Sequence, residues 1–93
     1  MKAIPLTQNQ IALVDDCDYA YLMQWKWYVY WDPDTRSYRV VRNSPRVNGR
    51  QDTIYMSRVI MNAKPDELVD HKDHDTLNNQ RHNLRKCTAL KIE

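Results

Sequence analysis

Residues 69–88 of this chain read VDHKDHDTLNNQRHNLRKCT, and they contain all three of its histidines. With the preceding Glu-Leu they predict a strand over residues 67–71 that ends at Asp70 and His71. Neighbouring side chains on a regular strand point to opposite faces, so these two residues serve one site only where the backbone bends. The polar turn over residues 72–76 follows at once and permits that bend.

The rest of the stretch predicts a second strand and a final helix. Residues 77–81 favour a short returning strand, and Asn83 is a suitable cap for a helix that starts there. Apolar side chains follow at helical spacing on one face, at Leu84, Cys87 and Leu90. We therefore expect the order β, β, α over residues 67–93.

Asp70, His71 and Asn83 are of the chemical types that phosphodiester hydrolysis requires. Histidine is the natural general base for activating water at neutral pH. Carboxylate and amide oxygens suit a hard cation that neutralises charge on the phosphoryl and leaving oxygens. A further polar side chain is needed to fix the imidazole in position.

These residues resemble the HNH homing-endonuclease family of phages and introns, in the variant whose last metal ligand is often Asn. The matching pieces are Asp70-His71, the turn over 73–75, Leu77-Asn78-Asn79, Asn83-Leu84-Arg85, the preceding YMSRVIM and the N-terminal ALVDDCDYAYLMQWKWY. The resemblance implies an α+β fold, with an antiparallel β meander and short helices followed by a C-terminal ββα-metal motif, or His-Me finger. It also implies cleavage or nicking of double-stranded DNA.

The resemblance assigns a role to each matching residue. His71 would be the general base, Asp70 would bind the metal, and Asn83 would hold the strand of His71 so that the imidazole is oriented. Asn78 and Asn79 would shape the turn and approach the phosphate. The expected cofactor is Mg²⁺ or Mn²⁺, with Zn²⁺ as an alternative.

Two positions depart from the family pattern. The last ligand of the family falls on Ile92, which cannot bind a cation, and Ser57 stands where many relatives have His. Ile92 motivates a second hypothesis, a catalytically degenerate DNA-binding module. A third is a zinc-stapled interaction domain, whose ligands would be His71, His74, His82 and Cys87.

Positive charge is concentrated in the middle of the chain. Residues 35–60 hold six arginines and one aspartate, whereas residues 1–34 hold two lysines and five aspartates. The arginine strip consists of Arg36, Arg39, Arg42, Arg46, Arg50 and Arg58. Arginine suits bidentate phosphate contact, so we predict that the strip binds DNA. The further predicted DNA contacts are Asn79, Arg81 and Arg85, with Tyr28 or Tyr30 as another candidate.

The remaining sequence predicts one small unit with two parts. Residues 1–66 form a β-rich part that carries the arginine strip, and residues 67–93 form the HNH motif. The expected strands are two around a turn at residues 8–10, then residues 25–31, 37–42 and 52–56. Asn48-Gly49 predicts a hairpin turn before the last of these strands, and helices are expected over residues 16–24 and 57–63. Trp25, Trp27, Val29 and Trp31 are expected on one face of a strand.

The composition favours a cytoplasmic protein, and the resemblance implies a bacterial host cell or a phage as its origin. Cys17 and Cys87 are expected as two reduced thiols. No apolar stretch approaches the roughly 20 residues of a membrane span, so no membrane partner is expected. The oligomeric state is not predicted.

Overall fold

Short strands dominate the fold, with two short helices between them. The computed structural model describes residues 1–88. Its elements are β1 (Lys2–Pro5), β2 (Ile11–Val14), α1 (Asp16–Leu22), β3 (Tyr28–Asp32), β4 (Ser37–Asn43), β5 (Thr53–Tyr55), α2 (Met56–Met61), β6 (Glu67–His71), a 3₁₀ turn (Arg81–Asn83) and β7 (Leu84–Thr88). This is a small α+β domain with antiparallel strands, as the sequence predicts.

The strands form three small antiparallel sheets. β1 pairs with β2, β3–β4–β5 form a meander, and β6 pairs with β7. The turns between paired strands contain residues with left-handed backbones, among them Asn9, Asn48 and Gly49. Asn and Gly adopt positive φ more readily than other residues, so the predicted turns at these positions are confirmed.

The core draws on elements from both ends of the described chain. Ile4, Val14, Leu22, Met56 and Leu84 belong to one buried cluster. The prediction that Trp25, Trp27, Val29 and Trp31 share one face of a strand holds only in part. Trp27 is buried, but Trp31 is 50% exposed at the far end of the meander.

The end of the described chain differs from the prediction. Residues 84–88, predicted as a helix that begins at Asn83, are strand β7, and Asn83 ends a 3₁₀ turn. Pairing with β6 explains this, because β7 lies antiparallel to β6 with Asp70 opposite Arg85. A five-residue ladder outweighs the weak helical spacing of Leu84 and Cys87. The expected metal-ligand position Ile92, the helical position Leu90 and the remainder of the predicted helix lie outside the described residues.

The predicted strand over residues 77–81 is also wrong. This segment makes only an isolated bridge, in which Asn78 lies beside Leu13 of β2. Leu13 N–H donates to the Leu77 carbonyl at 2.9 Å, and Asn79 N–H donates to the Leu13 carbonyl at 2.7 Å. The loop between β6 and β7 is thereby fixed to the N-terminal hairpin, and this attachment positions Asn79.

Candidate functional site

His71 lies at the end of β6 with its imidazole largely enclosed. Its side chain faces inward, as does Val69 two positions earlier, and the residue is 8% exposed. The Nε2 atom lies 2.8 Å from Oδ1 of Asn79. Asn79 is 1% exposed, so both partners of this hydrogen bond are buried. A buried hydrogen bond of this kind restricts the ring to one orientation.

The contacts of Asn79 also decide which ring nitrogen carries the proton. Its amide nitrogen lies 3.6 Å from the sulfur of Met56, which directs its carbonyl oxygen toward His71. An amide oxygen only accepts, so Nε2–H donates to it. Among residues 1–88 no hydrogen-bond partner is found for Nδ1, so Nδ1 is the ring nitrogen open to a further contact.

The imidazole borders a groove between the meander and the end of β6. β5 pairs with β4 only over Val41–Asn43, so the earlier residues of β4 present a free edge to the His71 turn. The groove has a volume of about 380 Å³. Five of its residues carry charged or titratable side chains, namely Arg36, Arg39, Asp70, His71 and His74. The structure thus brings the predicted Asp-His pair and two members of the arginine strip to one opening.

Asp70 is held by an arginine on the neighbouring strand. Arg85 Nη2 lies 2.5 Å from Asp70 Oδ2, and the two side chains are 58% and 44% exposed. The hydrogen bond from Arg85 lowers the pKa of the Asp70 carboxyl, although partial burial opposes the shift. Oδ2 is therefore engaged by a cation of the protein itself, and the backbone N–H of His71 also contributes to lowering the pKa of this carboxyl.

Asn83 has a different local role from the predicted one. Its side-chain amide donates to Asp73 Oδ1 at 2.8 Å and to the Asn78 carbonyl at 3.0 Å, and its Oδ1 accepts the Asp73 N–H at 3.1 Å. Its own carbonyl accepts Lys72 N–H at 2.8 Å. Asn83 therefore fixes the turn that follows His71, whereas the imidazole itself is held by Asn79.

The arginine strip divides into structural and exposed members. Arg58 donates to the carbonyls of Glu67 and Lys64 at 2.5 and 2.7 Å, which ties α2 to the start of β6. Arg42 lies over the Trp25 ring at 4.2 Å, and its Nε is buried without a hydrogen-bond partner. These two side chains are committed to the fold, and their contact with DNA stays a prediction.

The other four strip members face solvent or the groove. Arg36 is exposed at the β3–β4 turn, and Arg46 and Arg50 are exposed in the loop between β4 and β5. Arg39 is half-buried and lies 3.3 Å from Asp32. All four keep donors that can reach an external phosphate.

Three further predicted DNA contacts are engaged within the chain. Asn79 is buried and does not reach an external strand. Arg81 forms a bidentate pair with Asp18 at 2.8 and 2.9 Å, which raises the pKa of Arg81. Arg85 holds Asp70. Asn79 is thus the partner of the imidazole within the protein.

The zinc hypothesis finds no support in the geometry. Within residues 1–88, the one group of at least three suitable side chains whose ligand atoms lie close together is Asp15, Cys17 and Asp18. Arg81 already occupies both oxygens of Asp18 and contacts Asp15 through its backbone N–H. His71, His74, His82 and Cys87 do not form such a group. Cys17 and Cys87 are free thiols, as predicted.

Sequence patterns did not reveal Asn79 as the partner of His71. Its position depends on backbone hydrogen bonds between the loop and Leu13, which lies far away in the sequence. The doubled asparagine at residues 78–79 was the available signal, because a buried amide in a polar loop needs partners.

Comparisons with protein-family models, with curated proteins and with solved structures found no match to this chain. Over residues 1–88, none of the helices is both long enough and apolar enough to cross a membrane.

Proposed function

We propose that this protein is a metal-dependent DNA endonuclease or nickase with His71 as its general base. One observation carries the proposal. A buried amide oxygen lies 2.8 Å from Nε2 of His71 and holds the imidazole beside a groove with two arginines. A fixed base next to donors for phosphate is the arrangement that phosphodiester hydrolysis requires.

Residues of the groove and of the loop that supports His71 divide the tasks of this reaction. Nδ1 of His71 takes a proton from the attacking water, while Asn79 retains the Nε2 proton and fixes the ring. Arg36 and Arg39 hold the phosphate backbone along the groove. Asn83 and Asp73 keep the turn after His71 in place, so that the imidazole does not move with the loop.

The donor set at Asp70 fits Mg²⁺ or Mn²⁺ better than Zn²⁺. Protein-bound Mg²⁺ commonly uses one or two carboxylates, with water and substrate phosphate completing its shell. Asp70 supplies one partly exposed carboxylate. A cation bound there would neutralise charge on the scissile phosphate. Arg85 must release Oδ2 if both carboxylate oxygens are to serve.

Supercoiled plasmid with Mg²⁺ or Mn²⁺ tests the proposal. The wild type should produce nicked or linear plasmid, and His71→Ala should lower the rate by at least about 100-fold, as removal of a general base does. His82→Ala removes an exposed imidazole and is the matched control, with an expected rate within about twofold of wild type. An inactive wild type contradicts the enzyme, and an active His71→Ala contradicts the assigned base.

The Asp70–Arg85 ion pair favours a second candidate, a DNA-binding module without catalysis. Arg85 already neutralises the predicted metal ligand. This candidate predicts duplex binding that weakens steeply with salt and is the same in EDTA and in Mg²⁺. Binding that is insensitive to salt would exclude it.

A further inference from the structure

One face of the meander is lined with tyrosines. Tyr28 and Tyr30 lie two positions apart on β3, so they share a face. The register places Val41 opposite both Tyr28 and Tyr55, in one row across the three strands. Tyr30 lies opposite Arg39 in the neighbouring row. We call the surface of Tyr28, Tyr30 and Tyr55 the tyrosine face.

The tyrosine face surrounds a hollow with an apolar floor. The hollow has a volume of about 310 Å³, and Val41, which is 1% exposed, lies among the three tyrosines. Its rim is polar, because Thr53 borders it and Tyr28 Oη lies 3.0 Å from Asn43 Oδ1. It therefore combines aromatic surfaces for stacking with side chains that can form hydrogen bonds.

The core lies on the other side of this sheet. Val40, adjacent to Val41 and so on the opposite face, belongs to the buried cluster that contains Met56 and Ile60 of α2. Tyr30, in contrast, is 42% exposed. Exposed aromatic side chains are less common than exposed charged ones. The exposed ring of Tyr30 therefore offers an aromatic surface to a ligand.

Charge and continuity indicate what the ligand is. Tyr55 borders the hollow and also a second, small pocket, which His71 and Asn79 line. Arg39 lies beside Tyr30 on the same face and borders the groove. At the other end, the loop after Asn43 carries the exposed Arg46 and Arg50. Cations at both ends of an aromatic surface suit a polyanion whose bases can stack.

We propose that the tyrosine face binds an unpaired nucleobase of single-stranded DNA by stacking, with the backbone running toward the His71 groove. A base within a duplex already stacks on its neighbours and offers only its edges, whereas an unpaired base offers a whole ring face. The proposal rests on the proposed function for the choice of DNA. It specifies the substrate class as DNA with unpaired nucleotides beside the cleavage point.

Fluorescence anisotropy in EDTA tests this binding separately from cleavage. The probes are a short labelled oligothymidine and an abasic strand of the same length, which has the same phosphates but no bases. Wild type should bind oligothymidine about tenfold or more tightly than the abasic strand. Tyr30→Ala should remove that preference, and Tyr30→Phe, which keeps the ring, should retain it.

Two controls make the result decisive. Tyr21→Ala removes a tyrosine that is 56% exposed on α1, outside the face, and should keep the preference. His71→Ala should keep it too, so a failure of the nuclease proposal does not affect this test. Equal binding of the two strands by wild type overturns the inference, as does a preference that survives Tyr30→Ala. It is also overturned if wild type is a dimer by sedimentation and Tyr30→Ala a monomer, since the face then joins two copies.

Discussion

At the scale of single residues, the site depends on Asn79. Its buried amide connects the imidazole of His71 to the sulfur of Met56, and its backbone N–H is bound to Leu13. We expect Asn79→Ala to lower the free energy of unfolding by about 1–3 kcal/mol, because it leaves a buried imidazole nitrogen without its partner. Urea denaturation measures this.

The control for Asn79→Ala is His82→Ala, which should change stability by less than about 0.5 kcal/mol. If the protein cleaves DNA, Asn79→Ala should reduce kcat more than it raises KM, since the residue orients the base and does not touch substrate. A variant as stable and as active as wild type would show that Asn79 does not position the ring.

Asp73 gives the turn after His71 a dependence on pH. Its Oδ1 accepts the N–H of Asp75 and the amide of Asn83, each at 2.8 Å. These hydrogen bonds, the one from Asp75 first, lower the pKa of Asp73 below its ordinary value of 3.8. The stabilisation is therefore complete above about pH 4 and is lost as the pH falls through the lower, folded-state pKa.

Asp73→Asn removes this titration and keeps an acceptor for the turn. The difference in unfolding free energy between wild type and Asp73→Asn should shrink between about pH 5 and pH 2. Urea midpoints across this range measure it. The control is Asp66→Asn, because Asp66 is exposed and its side chain accepts no hydrogen bond among residues 1–88. A difference that stays constant with pH would contradict the role of Asp73.

At the scale of elements, sequence patterns predicted the strands and turns that are determined by contacts between neighbouring residues. The strands at residues 37–42 and 67–71 and the Asn48-Gly49 turn carry their determinants within a few residues. The helix expected from Asn83 is strand β7 over residues 84–88, because pairing with β6 is a contact that helical spacing does not reveal. Likewise, the motif singled out Asp70 and His71 as candidates. The position of Asn79 depends instead on backbone hydrogen bonds to β2, which the motif does not reveal.

Arg58 joins two elements that the candidate site requires to stay together. Its guanidinium donates to two carbonyls, of Glu67 and Lys64, so it fixes the start of β6 against α2. Arg58→Ala should lower the free energy of unfolding by about 1–2 kcal/mol, and Arg58→Lys should recover only part of it, since an ammonium lacks the planar fork. Chemical denaturation measures both.

Arg46→Ala is the matched control for Arg58, because it removes an exposed arginine of the same strip. It should change stability by less than about 0.5 kcal/mol. If Arg58→Ala were as stable as wild type, the two hydrogen bonds would not hold β6 in place, and Arg58 would again be a candidate for DNA contact.

At the scale of the whole molecule, a net charge of +2 understates the positive charge that the proposed DNA contacts would present. Arg42 and Arg58 are committed to the fold, whereas Arg36, Arg46 and Arg50 are exposed in the two loops at opposite ends of the meander. Each exposed arginine that meets a phosphate releases a counterion and adds to the salt dependence of binding. Affinity for duplex DNA should therefore depend on a few identifiable side chains.

Arg46→Ala and Arg50→Ala should each reduce the slope of log affinity against log salt by about 1. The nearest acidic group to Arg50 is Asp52 at 3.9 Å, and both side chains are more than 70% exposed, so this ion pair does not hold Arg50 back from a phosphate. Anisotropy titrations with duplex DNA at several salt concentrations measure the slope. Lys2→Ala removes an exposed cation on β1, away from the meander, and should leave the slope unchanged. If the slope fell equally for all three variants, the attraction would come from overall charge and not from the β4–β5 loop.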